Sequence, residues 1–121
     1  CLVHVLAFDF KLESHAIKIY TNGESLIGKE LQADYVVNSI HEAGGLAFLA
    51  HPGRYRLDYN ELIDEAYNNR FDGAEAWYDY NYNVLWEPTP IICESVATKL
   101  NSLGMYSSCG TDTHGYSLNG R

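Results

Sequence analysis

The chain has 121 residues, of which 46% are hydrophobic and 20% are charged, a composition typical of one globular domain rather than a disordered segment. Its formal net charge of -8 disfavours general nucleic-acid binding, because proteins with that function present a basic face to the phosphates. An acidic protein can still process a phosphate ester if bound metal ions supply positive charge locally.

The chain lacks signals for a membrane or an oxidising compartment. No apolar run approaches the ~20 residues that span a bilayer, so no membrane partner is expected, and the apolar opening at residues 2–8 is too short for a signal peptide. Cys1, Cys93 and Cys109 are odd in number and widely spaced, which indicates reduced thiols and a cytoplasmic location. The chain also opens directly in a strand-like run, which favours a piece of a longer domain, because domain termini usually lie at the surface.

Apolar runs of strand length alternate with helical patterns along the chain. Short apolar segments predict strands at residues 2–8, 46–50, 74–77 and 105–108. Helical spacing of apolar residues predicts helices at residues 29–43, 59–68 and 90–103. This alternation is typical of an α/β protein with a mostly parallel sheet or a barrel segment.

Local signals set the expected ends of these elements. Glycines at Gly44-Gly45 and at Gly104 end the first and third helices. Thr89 followed by Pro90 is typical of an N-cap with proline in the first helical turn. Residues 9–28 lack periodicity and predict irregular structure, and the Tyr- and Asn-rich residues 78–83 predict a surface loop.

Four polar side chains lie in or just after the predicted strands. His4 falls within the first strand, His51 follows the second, and Asp112 and His114 follow the last. Functional groups of parallel α/β proteins gather beyond the carboxyl ends of strands, and imidazole with carboxylate suits Zn²⁺, Mn²⁺ or Fe²⁺. Taken singly, His4 also fits a hydrogen-bonded core residue, and Asp112 fits a turn.

Four segments, in order, resemble the PHP (polymerase and histidinol phosphatase) family of metal-dependent phosphoesterases. They are LVHVL at residues 2–6, GGLAFLAHPGRY at 44–55, FDGAEAWY at 71–78 and SCGTDTHG at 108–115. The last segment resembles the family's GSDxHG motif, with Thr111 where serine is usual. Ala7, which follows the first segment, stands where the family has a glycine. Together they cover nearly the whole chain.

The resemblance implies that residues 1–121 are the C-terminal portion of a single domain, a distorted seven-stranded β/α barrel. It implies that His4 and His51 bind one metal ion and that Asp112 and His114 reach the other two of a trinuclear cluster of Mn²⁺, Zn²⁺ or Fe²⁺. Arg54 would bind the substrate phosphate through its planar guanidinium. The nucleophile would be a metal-activated water rather than a side chain.

Other elements of the family pattern are absent. Its H-x-H motif, the aspartate after it, the TDH histidine and a bridging glutamate belong upstream of His4. A closed barrel takes about 250 residues, roughly twice this length. We therefore expect the chain alone to be inactive, the complete protein to hydrolyse a nucleotide or short oligonucleotide, and the uncovered barrel edge to permit self-association.

Several alternatives remain open. The complete protein could instead be a histidinol-phosphate phosphatase or an exonuclease-type PHP domain, since those branches differ mainly in segments absent here. A catalytically inactive PHP interaction module and a metal-independent binding domain belong to other classes. Of the remaining polar residues, Glu75 is interpreted as a residue on the rim or directly behind the ligands, and His41 as a solvated or helix-capping residue rather than a ligand. The tyrosines near Tyr80 could stack on a base or simply cover the rim.

Overall fold

The computed structural model describes residues 2–115, so Cys1 and residues 116–121 lie outside the described part. One sheet has the strand order β1-β2-β3-β4, formed by β1 (Val5–Phe8), β2 (Leu46–Leu49), β3 (Gly73–Trp77) and β4 (Tyr106–Cys109). The α-helices are α1 (Lys18–Thr21), α2 (Ala33–Glu42), α3 (Tyr59–Asn68) and α4 (Pro90–Ser102). Short 3₁₀ turns lie at His15–Ile17, Gly28–Leu31 and Pro52–Arg54.

The later elements lie where the sequence predicts them. Helix α3 has the predicted bounds, and its Leu62, Ile63 and Ala66 are buried. Helix α4 begins at Pro90 and ends one residue before the predicted limit. Strands β2, β3 and β4 match their predicted ranges to within one residue, which is the ordinary uncertainty of element ends.

The first third of the chain departs from the prediction. Helix α2 is shorter than residues 29–43 because Gln32 has extended backbone (φ -73°, ψ 138°), which separates the helix from the preceding 3₁₀ turn. Residues 9–28, predicted to be irregular, contain α1 and a 3₁₀ turn. Strand β1 begins at Val5 rather than residue 2, so the prediction that His4 lies within the strand is wrong. The His4 N–H donates to the Tyr55 hydroxyl instead of a neighbouring strand.

The sheet is mixed. Strand β1 runs antiparallel to β2, with Val5 opposite Leu49, whereas β2, β3 and β4 are parallel to one another. Helices α3 and α4 make the two crossovers that parallel strands require. Because β1 is reversed, its beginning lies at the same edge of the sheet as the ends of the other three strands. This edge carries the candidate site.

The main core lies between the helices and one face of the sheet. Alternate strand residues point to opposite faces, and Ala47, Leu49, Ala74 and Ala76 join the helix residues in one buried cluster. The helical members of this cluster include Val37, Ile40, Leu62, Ile63, Ala66, Val96 and Leu100. The described fold is thus α/β with a four-stranded mixed sheet, which is compatible with part of a β/α barrel.

The segment after β3 is less exposed than predicted. Tyr78 and Asp79 are buried, although residues 78–83 were expected to form a surface loop. The Asp79 carboxylate accepts hydrogen bonds from the backbone N–H groups of Asn81 and Asn83, so the turn satisfies its own polar groups and its first residues can be buried.

Within residues 2–115, no helix has both the length and the apolar character needed to cross a membrane.

Candidate metal centre

His4 and His51 meet at the edge where β1 begins and β2 ends. The backbone N–H of Ala50 donates to the His4 carbonyl at 3.1 Å, which continues the antiparallel pairing beyond the strands. The neighbouring imidazoles approach edge-on, with 5.1 Å between ring centroids and 3.2 Å between His4 Nδ1 and His51 Nε2. The reversal of β1 therefore brings together two residues that are far apart in sequence.

His51 has a constrained backbone and a buried ring. Its φ of 30° and ψ of 64° lie in the left-handed region, which non-glycine residues rarely adopt. Its N–H donates to Glu75 Oε2 at 2.7 Å. Burial lowers the pKa of His51, and the positive charge of Arg54 lowers it further. The ring is therefore neutral at physiological pH, the form that binds metals.

Asp112 and His114 lie in the loop after β4. Asp112 also has a left-handed backbone, with φ of 54°. Its Oδ2 accepts hydrogen bonds from the Tyr78 hydroxyl at 3.0 Å and from Arg54 Nη1, and its Oδ1 lies 3.2 Å from His114 Nε2. Burial opposes ionisation of Asp112, but the contacts with Tyr78, Arg54 and His114 outweigh it and lower the pKa of this carboxyl.

Arg54, the predicted phosphate ligand, is held by three neighbours. Its Nη1 donates to the Tyr78 hydroxyl at 3.3 Å as well as to Asp112, and its guanidinium lies over the Tyr82 ring at 5.6 Å from the centroid. Just over a third of its side chain remains exposed. Arg54 thus lies next to Asp112, one of the residues that line the site, and these contacts fix the direction of its guanidinium.

All four predicted ligands line one cavity of about 410 Å³. The wall also contains Glu75, which is only 6% exposed. Burial raises the pKa of Glu75, and the charge of Asp112 raises it further, against the effect of the His51 N–H. Of the two positions that the sequence suggests for Glu75, the buried contact with the His51 N–H agrees with the one behind the ligands.

Sequence reasoning missed Tyr78 as a partner of the site. The FDGAEAWY segment marks the end of β3, but nothing in the sequence shows that the Tyr78 ring turns inward and that its hydroxyl contacts both Arg54 and Asp112. His41 lies elsewhere: its Nε2 is 2.7 Å from Asp72 Oδ2, an interaction between α2 and the start of β3. His41 is partly exposed in the last turn of α2 and does not line the cavity, but its contact with Asp72 was not predicted.

Two pairs of candidate ligand atoms have separations that suit two ligands of one divalent metal ion. Two neighbouring ligands that each lie about 2.0–2.2 Å from one ion are roughly 2.8–3.6 Å apart, from octahedral to tetrahedral geometry. The His4–His51 and Asp112–His114 pairs both have 3.2 Å between their nearest donor atoms. His51 Nδ1 is also buried without a hydrogen-bond partner in the described part of the chain. No group of three such side chains in residues 2–115 is close enough to hold one ion.

Solved structures that share this fold include the two described here, whereas no protein-family model and no curated protein matches the chain. An amidohydrolase from Chromobacterium violaceum, with bound sulfate and no metal, is 25% identical with a TM-score of 0.55 over 74% of this chain and 31% of its own. A protein from Bifidobacterium adolescentis, described as a metal-dependent phosphoesterase, is 24% identical with a TM-score of 0.55 over 88% and 36%. The chain therefore spans about a third of the length of each of these two structures.

Proposed function

We propose that this chain is part of a metal-dependent phosphoesterase that hydrolyses the phosphate ester of a nucleotide or short oligonucleotide. The observation that carries the proposal is the convergence of four metal-binding side chains, His4, His51, Asp112 and His114, on one cavity beside Arg54. A neutral His51 and an ionised Asp112 are the protonation states that ligands require. The similar solved structures, one a described metal-dependent phosphoesterase and one an amidohydrolase with bound sulfate, support a hydrolase.

In this proposal, His4 and His51 hold one Mn²⁺, Zn²⁺ or Fe²⁺ ion, and Asp112 with His114 contributes to the remaining positions of a trinuclear cluster. Bound ions of this kind activate water and neutralise the charge that develops on the phosphate. Within the chain, Tyr78 and Arg54 hold Asp112 Oδ2, so that Oδ1 stays next to His114.

Arg54 is proposed to bind the phosphate of the substrate. A guanidinium has five N–H donors, so those that do not bond to Tyr78 and Asp112 can bond to phosphate oxygens. The Tyr82 ring fixes the plane of the guanidinium, which favours a bidentate contact. Arg54→Ala is therefore expected to raise KM more than it lowers kcat.

We further propose that the chain is the C-terminal portion of a seven-stranded PHP barrel, in a cytoplasmic protein. The two pairs of ligands described here would be completed by side chains from a longer protein, and the 121 residues alone would be inactive. The limited span of the chain along both solved structures supports this division. The experiment below tests the proposed function against three alternatives, namely a histidinol-phosphate phosphatase, an exonuclease-type domain and an inactive interaction module.

The test compares the 121-residue chain with a longer protein that contains it and the upstream motifs. Bound metal is measured by emission spectroscopy, and release of phosphate or nucleoside monophosphate is measured with Mn²⁺ on nucleotides, a short oligonucleotide and histidinol phosphate. The longer protein should be active on the nucleotide substrates, and His51→Ala should reduce its turnover by orders of magnitude. His15→Ala, at an exposed position outside the cavity, serves as the matched control.

Each other outcome contradicts a stated part of the proposal. Comparable rates for the chain and the longer protein would contradict the division of the site. Metal binding without hydrolysis of any ester would favour the inactive module, and hydrolysis of histidinol phosphate alone would replace the proposed substrate.

A further inference from the structure

The Glu75 carboxylate lies between the two loops that carry the candidate ligands. On one side, its Oε2 accepts the hydrogen bond from the His51 N–H at 2.7 Å. On the other side, it packs against Gly110, two residues before Asp112, so closely that a Cβ at position 110 would lie 1.8 Å from Oε1. One buried side chain, 6% exposed, therefore touches both loops.

The contact with His51 compensates for an unfavourable backbone. A non-glycine residue in the left-handed region is destabilising, and the surrounding structure must offset that cost. A buried N–H without an acceptor would add a second cost. The Glu75 carboxylate removes the second cost and thereby stabilises the conformation that directs the His51 ring towards His4.

The contact with Gly110 fixes the second loop. The Gly110 N–H donates to the Trp77 carbonyl at 3.1 Å, and the Gly110 carbonyl accepts from Trp86 Nε1 at 3.1 Å. The backbone at this point is thus held from both ends while Glu75 packs against its Cα. A side chain at position 110 would displace either Glu75 or the loop that leads to Asp112.

We propose that Glu75 is a positioning residue that sets the His51 loop and the Asp112 loop relative to each other, and that Gly110 is the residue that makes room for it. This inference rests on the proposed function, which assigns the two loops to metal binding. Two features of Glu75 matter for its positioning role: the oxygen that accepts the hydrogen bond and the shape of the side chain.

The test uses two substitutions that separate these features. Glu75→Gln retains an oxygen acceptor and the length of the side chain, whereas Glu75→Met retains the length without a strong acceptor. Binding of Co²⁺ alone is titrated by visible absorption, which reports both affinity and ligand geometry. We expect Glu75→Gln to bind like the unaltered chain, and Glu75→Met to bind 10–100-fold more weakly with a changed spectrum, the effect typical of residues that orient metal ligands.

A second pair of substitutions tests the packing. Gly110→Ala alone should weaken Co²⁺ binding and destabilise the chain to urea, because its Cβ meets Glu75 Oε1. In the Glu75→Ala background the same change should have a much smaller effect, since the obstructing carboxylate is gone. This non-additivity is calculated from the free energies of unfolding of the unaltered chain, the two single variants and the double variant, all measured without metal.

The amide resonances of His51 and Asp112 separate the two possible failures. If neither the unaltered chain nor the longer protein that contains it binds Co²⁺, yet Glu75→Met shifts both resonances and Glu75→Gln leaves them unchanged, the proposed function fails and the positioning role stands. If Co²⁺ binds equally well to Glu75→Met, or if the effects of Gly110→Ala and Glu75→Ala are additive, the inference is overturned and the proposed function is untouched.

Discussion

The Tyr78 hydroxyl links Arg54 to Asp112. It donates to Asp112 Oδ2 at 3.0 Å and accepts from Arg54 Nη1 at 3.3 Å, while its ring is almost fully buried. Burial raises the pKa of Tyr78, and its hydrogen bonds add to this effect, so the hydroxyl remains protonated and able to donate. A single uncharged group thus fixes the direction of a candidate metal ligand.

We expect Tyr78→Phe to weaken metal binding while the fold is retained. The ring still fills its site, but Asp112 loses a hydrogen-bond donor, and loss of a partner that orients a ligand typically costs 10–100-fold in affinity. Titration with Mn²⁺ by calorimetry measures the change. Tyr67→Phe, which removes a hydroxyl from a half-exposed ring on α3, is the control. Equal affinities of the two variants would show that Tyr78 does not orient Asp112.

The buried ring of His51 predicts a pH dependence of stability. Burial, with Arg54, lowers the pKa of His51 in the folded chain below its unfolded value of about 6.5. The unfolded chain therefore binds more protons in the interval between the two values, and the stabilisation, present above about pH 6.5, is lost as the pH falls through that interval. The raised pKa of Glu75 changes stability with pH in the opposite direction, but Glu75 is present in all the proteins that are compared.

Urea unfolding of the metal-free chain at several pH values measures this effect. Below about pH 6.5, the free energy of unfolding should fall more steeply in the unaltered chain than in His51→Asn, since asparagine tolerates the left-handed backbone and does not titrate. His15→Asn, at an exposed position, should keep the unaltered slope. A His51→Asn slope equal to that of the unaltered chain would mean that His51 does not titrate as the burial argument requires.

How much of the site could be predicted differs from residue to residue. His51 and Asp112 stand out in the sequence because glycine, proline and polar residues follow apolar runs there. Their metal-binding role stays a prediction. Tyr78 was not predicted, and the contacts of Glu75 could not be assigned, because they depend on the register of β3 with β4, which shifts between Glu75 and Trp77. Periodicity alone does not reveal such an irregularity.

At the scale of the elements, α3 is the helix that the sequence predicts best. Its buried Leu62, Ile63 and Ala66 recur at helical spacing, and Asp58 caps its start by accepting from the N–H groups of Asn60 and Glu61. The direction of β1, by contrast, does not follow from the sequence pattern. Alternation of strands and helices favours parallel pairing, but residues 9–32 between β1 and α2 return the chain in a way that pairs β1 antiparallel to β2.

The cap of α3 gives a test at this scale. Asp58→Ala removes the acceptor at 2.8 Å from the Asn60 N–H and should lower the free energy of unfolding by about 0.5–2 kcal/mol. Asp58→Asn, which keeps a capping oxygen, should have a much smaller effect. Both are measured by urea unfolding. Equal destabilisation by the two substitutions would indicate that the charge of Asp58, and not its capping oxygen, supports the helix.

At the scale of the whole molecule, the helices described for residues 2–115 pack on one face of the sheet and leave the other face, called the open face here, without a helix. The helices pack on the face that carries Ala47 and Ala74. On the other face, the Phe48 ring contacts Phe8 edge-on and stacks on Tyr106. Phe8 is 42% exposed and Tyr106 is 64% exposed, and both belong to strands at the ends of the described sheet. Contiguous apolar surface beside open strand edges favours association.

We therefore expect the 121-residue chain to self-associate through this open face, and sedimentation velocity over a range of concentrations measures it. Like charges on two copies oppose association, since each carries a formal charge of -8, so added salt should strengthen it by screening their repulsion. The double substitution Phe8→Ser with Tyr106→Ser should shift the chain towards monomer, because it removes the exposed rings that flank Phe48. Val84→Ser with Leu85→Ser, in a loop where both side chains are highly exposed, removes apolar surface elsewhere and should leave association unchanged. If the two double variants dissociate equally, general apolar exposure and not the open sheet face would account for the association.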